Sequence, residues 1–322
     1  IQDAVEYYLM GNYPNIAKAY IIRRKERAKI RDFKYNKTYY NTVLGLLNGE
    51  TNDVSKENAN KDPKQFFTMR DLVAGETCKK IYKDFIMDPK LLELHNKGII
   101  HVHDTDYRAM KGMTNCCLIN LKDMLINGTC VQGKRIRNIH SLIVASNVTT
   151  QIIAAVGSSQ YGGITIDISH LSPFIERSKL KYKDIFKDLD GPIQEKYVNT
   201  FIKKEIVDSI QLIQYQLNTL TTTNGQSPFI TIACNTNGQD DEYPEYTAML
   251  IEELLKQRIK GMEGPNGNNI NPSFPKIVYI LTENNIKEGT KYYYLTKLAA
   301  GCTAKRMVPD CMSEKICKQY KE

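Results

Sequence analysis

Four short runs of this chain, Ile99 to His103, Cys116 to Leu121, Phe229 to Cys234 and Lys276 to Leu281, are nearly continuous in apolar residues instead of alternating. A strand with one wet face alternates, so an unbroken apolar strand requires cover on both faces, which a parallel sheet flanked by helices provides. Ile164 to Ile168 is a fifth, less continuous run. Helical periodicity lies between several of them. Arg70 to Phe85 is amphipathic, Asp88-Pro89 starts another helix, and Ser141 to Val156 carries Ala145, Val148, Ile152 and Ala155 on one face. Strands alternating with helices read as βαβ units, so the expected class is α/β with parallel strands.

Phe201 to Leu220 adds a heptad-type seam, because Ile206, Ile210, Ile213, Leu217 and Leu220 step by 4, 3, 4 and 3. Each such side chain gains roughly 1.5–3 kcal/mol on burial, so the seam faces either a core or a partner helix. At the start, residues 1–32 place Ile16, Ala19, Tyr20 and Ile22 on one helical side and Arg23, Arg24, Lys25 and Arg27 on the other. Residues 33–68, rich in Asn and Lys with Asn52-Asp53, Asn58 and Asp62-Pro63, read as a linker, leaving 69–322 as the main body. The chain opens on Ile1 and closes on an uncapped charged helical run, which reads as a fragment cut at both sides.

A formal charge of +8 suits anionic ligands such as nucleoside triphosphates, and equally a solvated lysine-rich surface. No nucleic-acid motif accompanies it. No 18-residue apolar span or secretory h-region is present, so a cytoplasmic protein without membrane attachment is expected. The eight cysteines form no C-x-x-C, which argues against a structural zinc site, and in a reducing compartment they remain thiols.

The chemistry concentrates between Gly98 and Leu125. In an extended strand His101 and His103 share a face, whereas Cys116 and Cys117 point to opposite faces, so only one thiol can meet a site that the histidines also face. The pattern His101-x-His103-Asp104-x-Asp106-Tyr107, followed by Asn115-Cys116-x-Leu118-x-x-Leu121-Lys122-x-Met124-Leu125, resembles the anaerobic (class III) ribonucleoside-triphosphate reductases, a glycyl radical enzyme family. Tyr161-Gly162-Gly163, Leu217 to Leu220, Asn224 to Phe229, Phe274-Pro275-Lys276 and Cys302 to Met307 with Pro309-Asp310 follow in the family's order.

That resemblance implies the amino-terminal half of a ten-stranded glycyl radical enzyme α/β barrel, preceded by the end of an ATP-cone-like helical domain in residues 1–32. It implies reduction of ribonucleoside triphosphates to deoxyribonucleotides, with Cys116 as the catalytic thiol near C2′ and His101 and His103 binding substrate. Cys117 reads as a small buried hydrophobe. Gln151 and Lys181, with Arg137 and His140, match effector-nucleotide positions. The tract Ile136 to Ser141 departs from the family's I-E-x-P-K-S, which puts the effector's identity in question. The seam matches the family's dimer-interface helices, and Lys305 and Arg306 suit either phosphate contact or a helix surface. The glycyl radical and a structural zinc are expected beyond Glu322, so this piece alone is expected to be inactive. Formate as reductant, ATP and deoxynucleotide effectors, a radical-SAM activating enzyme and a homodimer complete the implied set.

Two other readings compete. H-x-H at a strand end also holds zinc in some hydrolases, although His95, His140 and His170 lack ligand-like neighbours here. The seam and the basic start would equally serve a non-catalytic nucleotide-binding or dimerising piece.

Overall fold

The computed structural model describes residues 2–50, 61–110, 116–160, 162–223, 225–238 and 241–319. Asn52, Asp53, Asn58, Asn115, Tyr161 and Asn224, named above, lie outside the described residues. The chain divides into two compact units, one of residues 1–59 and 63–111 and one of 60–62 and 112–322.

The first unit is helical: α1 Gln2–Asn12, α2 Pro14–Tyr35, α3 Lys37–Leu47, α4 Phe66–Ile81 and α5 Pro89–Asn96, with a π-helical turn Tyr82–Ile86 extending α4. Arg24 ties α2 to α1 through Asp3 (2.8 Å) and Glu6 (2.7 Å). In α2 Ala17 is buried, while Ile16 and Ile22 are about half exposed, so the inward face is not the one that apolar spacing suggests. Within 33–68, α3 packs on α4, where the Tyr39 hydroxyl meets Thr77 Oγ1 at 3.0 Å and Leu46 is buried.

The second unit is built on five parallel strands: β1 Cys117–Leu118, β4 Ile164–Asp167, β5 Ile230–Cys234, β8 Lys276–Leu281 and β9 Asp310–Ser313. Two short antiparallel ribbons accompany them, β2 Thr129–Val131 with β3 Lys134–Ile136 and β6 Met262–Glu263 with β7 Asn269–Ile270. The helices are α6 Leu121–Ile126, α7 Leu142–Gly157, α8 Ser172–Ile185, α9 Gly191–Thr219, α10 Pro244–Lys260, α11 Tyr293–Arg306 and α12 Glu314–Gln319.

The strands lie side by side in chain order, and register sorts their faces. Ile164, Ile166, Ile230, Ile232, Cys234, Ile277 and Tyr279 form one face, and all join the core with the helices. The other face runs through Leu118, Thr165, Thr231, Val278, Ile280 and Met312, none of them buried. Sequential parallel strands with helices on one face give a singly wound, barrel-type sheet; a doubly wound sheet would have helices on both. No helix among the described residues is long and apolar enough to cross a membrane.

The runs 229–234 and 276–281 form parallel strands, and so does the fifth run, but their burial alternates because the helices cover one face of the sheet instead of both. Cys116 to Leu121 pairs only at Cys117 and Leu118, because the Asn120 side chain accepts from Asp123 N (3.3 Å) and starts α6. Ile99 to His103 forms no strand, for a reason visible at the site below. Asp310–Ser313 is a strand that its polar composition did not announce.

The seam also resolves. Ile206, Ile210, Ile213 and Leu217 are 1–3% exposed, buried as α9 packs on α7, α8 and α10, whereas Leu220 is 47% exposed. Four fifths of the seam therefore serves the unit's own core. Ile210→Ala is expected to cost about 2–5 kcal/mol in urea denaturation without changing the oligomer size on a sizing column. A change in oligomer size with unchanged stability would assign the seam to an interface instead.

Candidate active site

Helix α5 ends at Asn96, and Gly98 takes φ +71°, a left-handed conformation that a side chain would oppose. The chain folds back, so the N–H groups of Ile99 (3.0 Å) and Ile100 (3.5 Å) donate to Leu94 O and that of Val102 donates to His95 Nδ1 at 3.2 Å. Those donors are what a neighbouring strand would have needed, which is why 99–103 is not a strand. The bond from Val102 makes His95 Nδ1 an acceptor, leaving the proton of the neutral ring on Nε2. Partial burial holds the His95 pKa below the ordinary imidazole value, with repulsion from Lys83, His101 and Lys79 adding to it.

The three rings stand in sequence, His95 to His101 at 5.5 Å and His101 to His103 at 5.7 Å between centroids, the latter edge to face. His101 and His103 are exposed, and His103 Nδ1 is paired with Asp104. Asp104 sits at φ +54° and its carbonyl accepts from Tyr107 N and Arg108 N, forming the turn. The Tyr107 hydroxyl donates to Asp71 Oδ2 at 3.3 Å, and Asp106 packs over Gly75, so Asp106 and Tyr107 fasten this turn to α4. Sequence reasoning missed His95. Its signal was a histidine one residue before a helix end, followed by a glycine able to reverse the chain.

In the second unit the two thiols divide as alternation demands. Cys117 N donates to Gly163 O at 3.0 Å, and the Cys117 side chain packs against the core beside Gln160. Burial pushes the Cys117 thiol up, against a lowering hydrogen bond from Gln160, with Cys116 adding to the rise. Cys116 is exposed and flanks the start of β4, where a Cβ on Gly163 would lie 4.0 Å from its Sγ.

His140 and Lys181 come together in a cavity of about 390 Å³, joined by Arg177, Asn138, Ile139 and Leu180. Arg177 donates to Ile139 O and lies 4.8 Å over the Phe174 ring; Lys181 lies 4.6 Å over Tyr182. Gln151 and Arg137 are exposed and do not line this cavity. Arg177 was missed by sequence reasoning, although it precedes Lys181 by one helical turn. The nearby amino end of α7 is satisfied internally: Ile143 N donates to Glu205 Oε1 (3.0 Å) and Leu142 N to Ser178 Oγ (2.8 Å), so it presents no free anion-binding end.

A further polar cavity of about 300 Å³ lies at the carboxyl ends of β4 and β5, lined by Asp167, His170, Asn235 and Asp241 among others. Burial raises the Asp167 carboxyl, with Asp241 adding to it against the Ser169 hydrogen bonds and His170. Arg306 does not present itself to a phosphate. Its Nε and Nη2 donate to Ile259 O (3.0 and 2.8 Å) and Nη2 also to Lys260 O (2.8 Å), capping α10, while Lys305 is exposed. Among the described residues no group of three or more His, Cys, Asp or Glu is placed to hold a metal ion.

Residues 57–322 match the family model described as anaerobic ribonucleoside-triphosphate reductase. The Haemophilus influenzae protein of that name is 36% identical over 318 residues, covering 97% of this chain, and that of Enterobacteria phage T4 is 38% identical over 278 residues, covering 85%. This chain spans only 43% and 44% of their lengths. Among solved structures, the anaerobic ribonucleotide reductase of Thermotoga maritima in complex with dATP and CTP superposes with a TM-score of 0.53 at 11% identity, over 83% of this chain and 48% of that one. A second anaerobic ribonucleotide reductase gives 0.51 at 14% identity, over 84% and 43%. The fold is thus that of part of such a catalytic body, and with the family match covering most of the sequence, the chain belongs to the anaerobic ribonucleoside-triphosphate reductase family.

Proposed function

We propose that this chain is the amino-terminal part of an enzyme that reduces ribonucleoside triphosphates to deoxyribonucleotides under anaerobic conditions. The observation that carries the reading is the exposed Cys116 thiol at the edge of a five-stranded parallel sheet, in a chain of this family. Residues 1–32 are read as the end of an ATP-cone-like domain, 33–68 as its connection and 69–322 as the first half of the barrel. The second half would cover the sheet face that carries Leu118, Thr165 and Ile280.

In this proposal a glycyl radical, generated by a radical-SAM activating enzyme in the longer protein, supplies the one-electron chemistry at the ribose, and formate the reducing equivalents. Cys116 contributes its S–H near C2′. His101 and His103 hold nucleotide through ring nitrogens that donate or accept. Lys181 and His140, with Gln151 and Arg137, take the effector deoxynucleotide at a two-fold interface between copies; the shared cavity of His140, Lys181 and Arg177 supports the first two most directly.

The test uses the full-length enzyme, activated anaerobically and supplied with ribonucleoside triphosphate and formate. Deoxynucleotide formation is expected, with its response to added deoxynucleotide blunted at least tenfold in Lys181→Ala. An enzyme that shows the glycyl radical signal but forms no deoxynucleotide overturns the proposal.

A further inference from the structure

The edge strand that follows the Cys116 thiol is only two residues long. Its pairing with β4 begins where Cys117 N donates to Gly163 O and ends where Ile119 N donates to Thr165 O, each at 3.0 Å. Cys116 immediately precedes the first of these bonds, so the placement of its thiol follows the direction of the Gly163 carbonyl. That carbonyl has a second donor. Gln160 is 3% exposed, and its Nε2 donates to Gly162 O and Gly163 O at 3.3 Å each. Both partners are carbonyls, which only the N–H side of a carboxamide can serve, so they fix which way the amide faces. We propose that Gln160 is a positioning residue for Cys116, acting through the Gly163 carbonyl that starts the pairing of the edge strand.

The surrounding contacts leave residue 163 between the thiol and the next strand. A Cβ on Gly163 would lie 4.0 Å from Cys116 Sγ and 3.9 Å from Phe229 O. Ile164 N donates to Phe229 O at 2.8 Å, which holds the Gly163–Ile164 peptide to the start of β5. The Gly163 carbonyl of that same peptide is held by Gln160 and by Cys117 N, so both of its lone pairs are used. A buried carboxamide is costly unless its N–H groups are paired, and an amide that merely closed the loop into β4 could satisfy itself on any carbonyl there. Here one of the two carbonyls is the one on which the thiol strand registers. Displacement of a reacting group by an ångström can lose on the order of 10²-fold in rate, so removal of this amide should act on the chemical step more than on substrate binding. The catalytic part of Cys116 rests on the function proposed above, whereas the hold of Gln160 on the edge strand does not.

The experiment compares the full-length enzyme with Gln160→Met, which keeps the length of the side chain and removes both N–H donors. Gln160→Glu, of the same size with the donors replaced by acceptors, is the second variant. Amide hydrogen exchange, read by mass spectrometry, is expected to quicken at least tenfold in the peptide that carries the Cys117 and Ile119 amides, and to stay unchanged across β5. After anaerobic activation to equal glycyl radical content, kcat for deoxynucleotide formation should fall at least tenfold while KM stays within about twofold. Unchanged exchange at the edge strand, or a rise matched across β5, would overturn the hold of Gln160 on that strand. An unchanged kcat, or a loss confined to KM, would overturn the positioning role. Exchange is read without turnover, so an unaltered enzyme that forms no deoxynucleotide would count against the proposed function and not against this tie.

Discussion

Cys116→Ser in the full-length, activated enzyme is expected to abolish deoxynucleotide formation, and Cys117→Ser to leave most of it. Serine retains the size of the side chain but offers no S–H hydrogen that a carbon radical can take readily. Cys117 opens the edge strand and Cys116 immediately precedes it, so the two cannot both reach one substrate. Register aligns Cys117 with the buried Ile164, and the Cys117 side chain packs on the core; Cys116 lies exposed on the opposite side. A thiol misplaced by an ångström can lose on the order of 10²-fold in rate, so Cys117 cannot replace its neighbour. Its own substitution should act on stability, by about 1 kcal/mol, through the lost contact with Gln160 and the core. Loss of turnover on changing Cys117 with Cys116 dispensable would reverse the assignment.

Arg258→Met is expected to remove about 3–5 kcal/mol of stability from the second unit, through two hydrogen bonds from a charged donor. The side chain is 1% exposed, and its guanidinium donates to Pro272 O at 2.7 Å and to Pro275 O, fastening the segment that leads into β8. Its partners are carbonyls, with Asn271 Oδ1 more distant at 3.5 Å. Burial lowers its pKa to about 10, offset in part by Cys302 and reinforced by Arg306. Methionine fills much of the volume but leaves two buried carbonyls without donors. Lysine should recover only part of the loss, because one ammonium cannot span both acceptors as the planar fork does. The sign of the pH dependence follows from a folded-state value below the unfolded one. The Arg258 contribution, read as the difference between the unaltered protein and Arg258→Met, should be flat near neutrality and rise above about pH 10, where the unfolded chain holds the extra proton. Urea denaturation checks both; a loss below 1 kcal/mol would show that the loop has other anchors.

The sequence alone determined that Phe229 to Cys234 and Lys276 to Leu281 are parallel strands, whereas the tertiary structure decided that only one face is covered, so that Ile230, Ile232 and Ile277 are buried and Thr231, Val278 and Ile280 are not. The sequence also determined the separation of Cys116 from Cys117, which follows from strand alternation, and the family, which several ordered motifs carry. Tertiary structure decided the rest. Ile99 to His103 has the composition of a strand, but its N–H groups are taken by Leu94 O and His95, and composition does not state a hydrogen-bond partner. Asp310–Ser313 is a strand because β8 offers it a free edge, not because its residues prefer extension. Arg306 caps α10 from 46 residues away, and His95 joins His101 only through a reversal at Gly98. The apolar seam shows the division most directly: its period required that Ile206 to Leu217 be buried, but burial is set by area, which is indifferent to whether the covering helix belongs to the same chain.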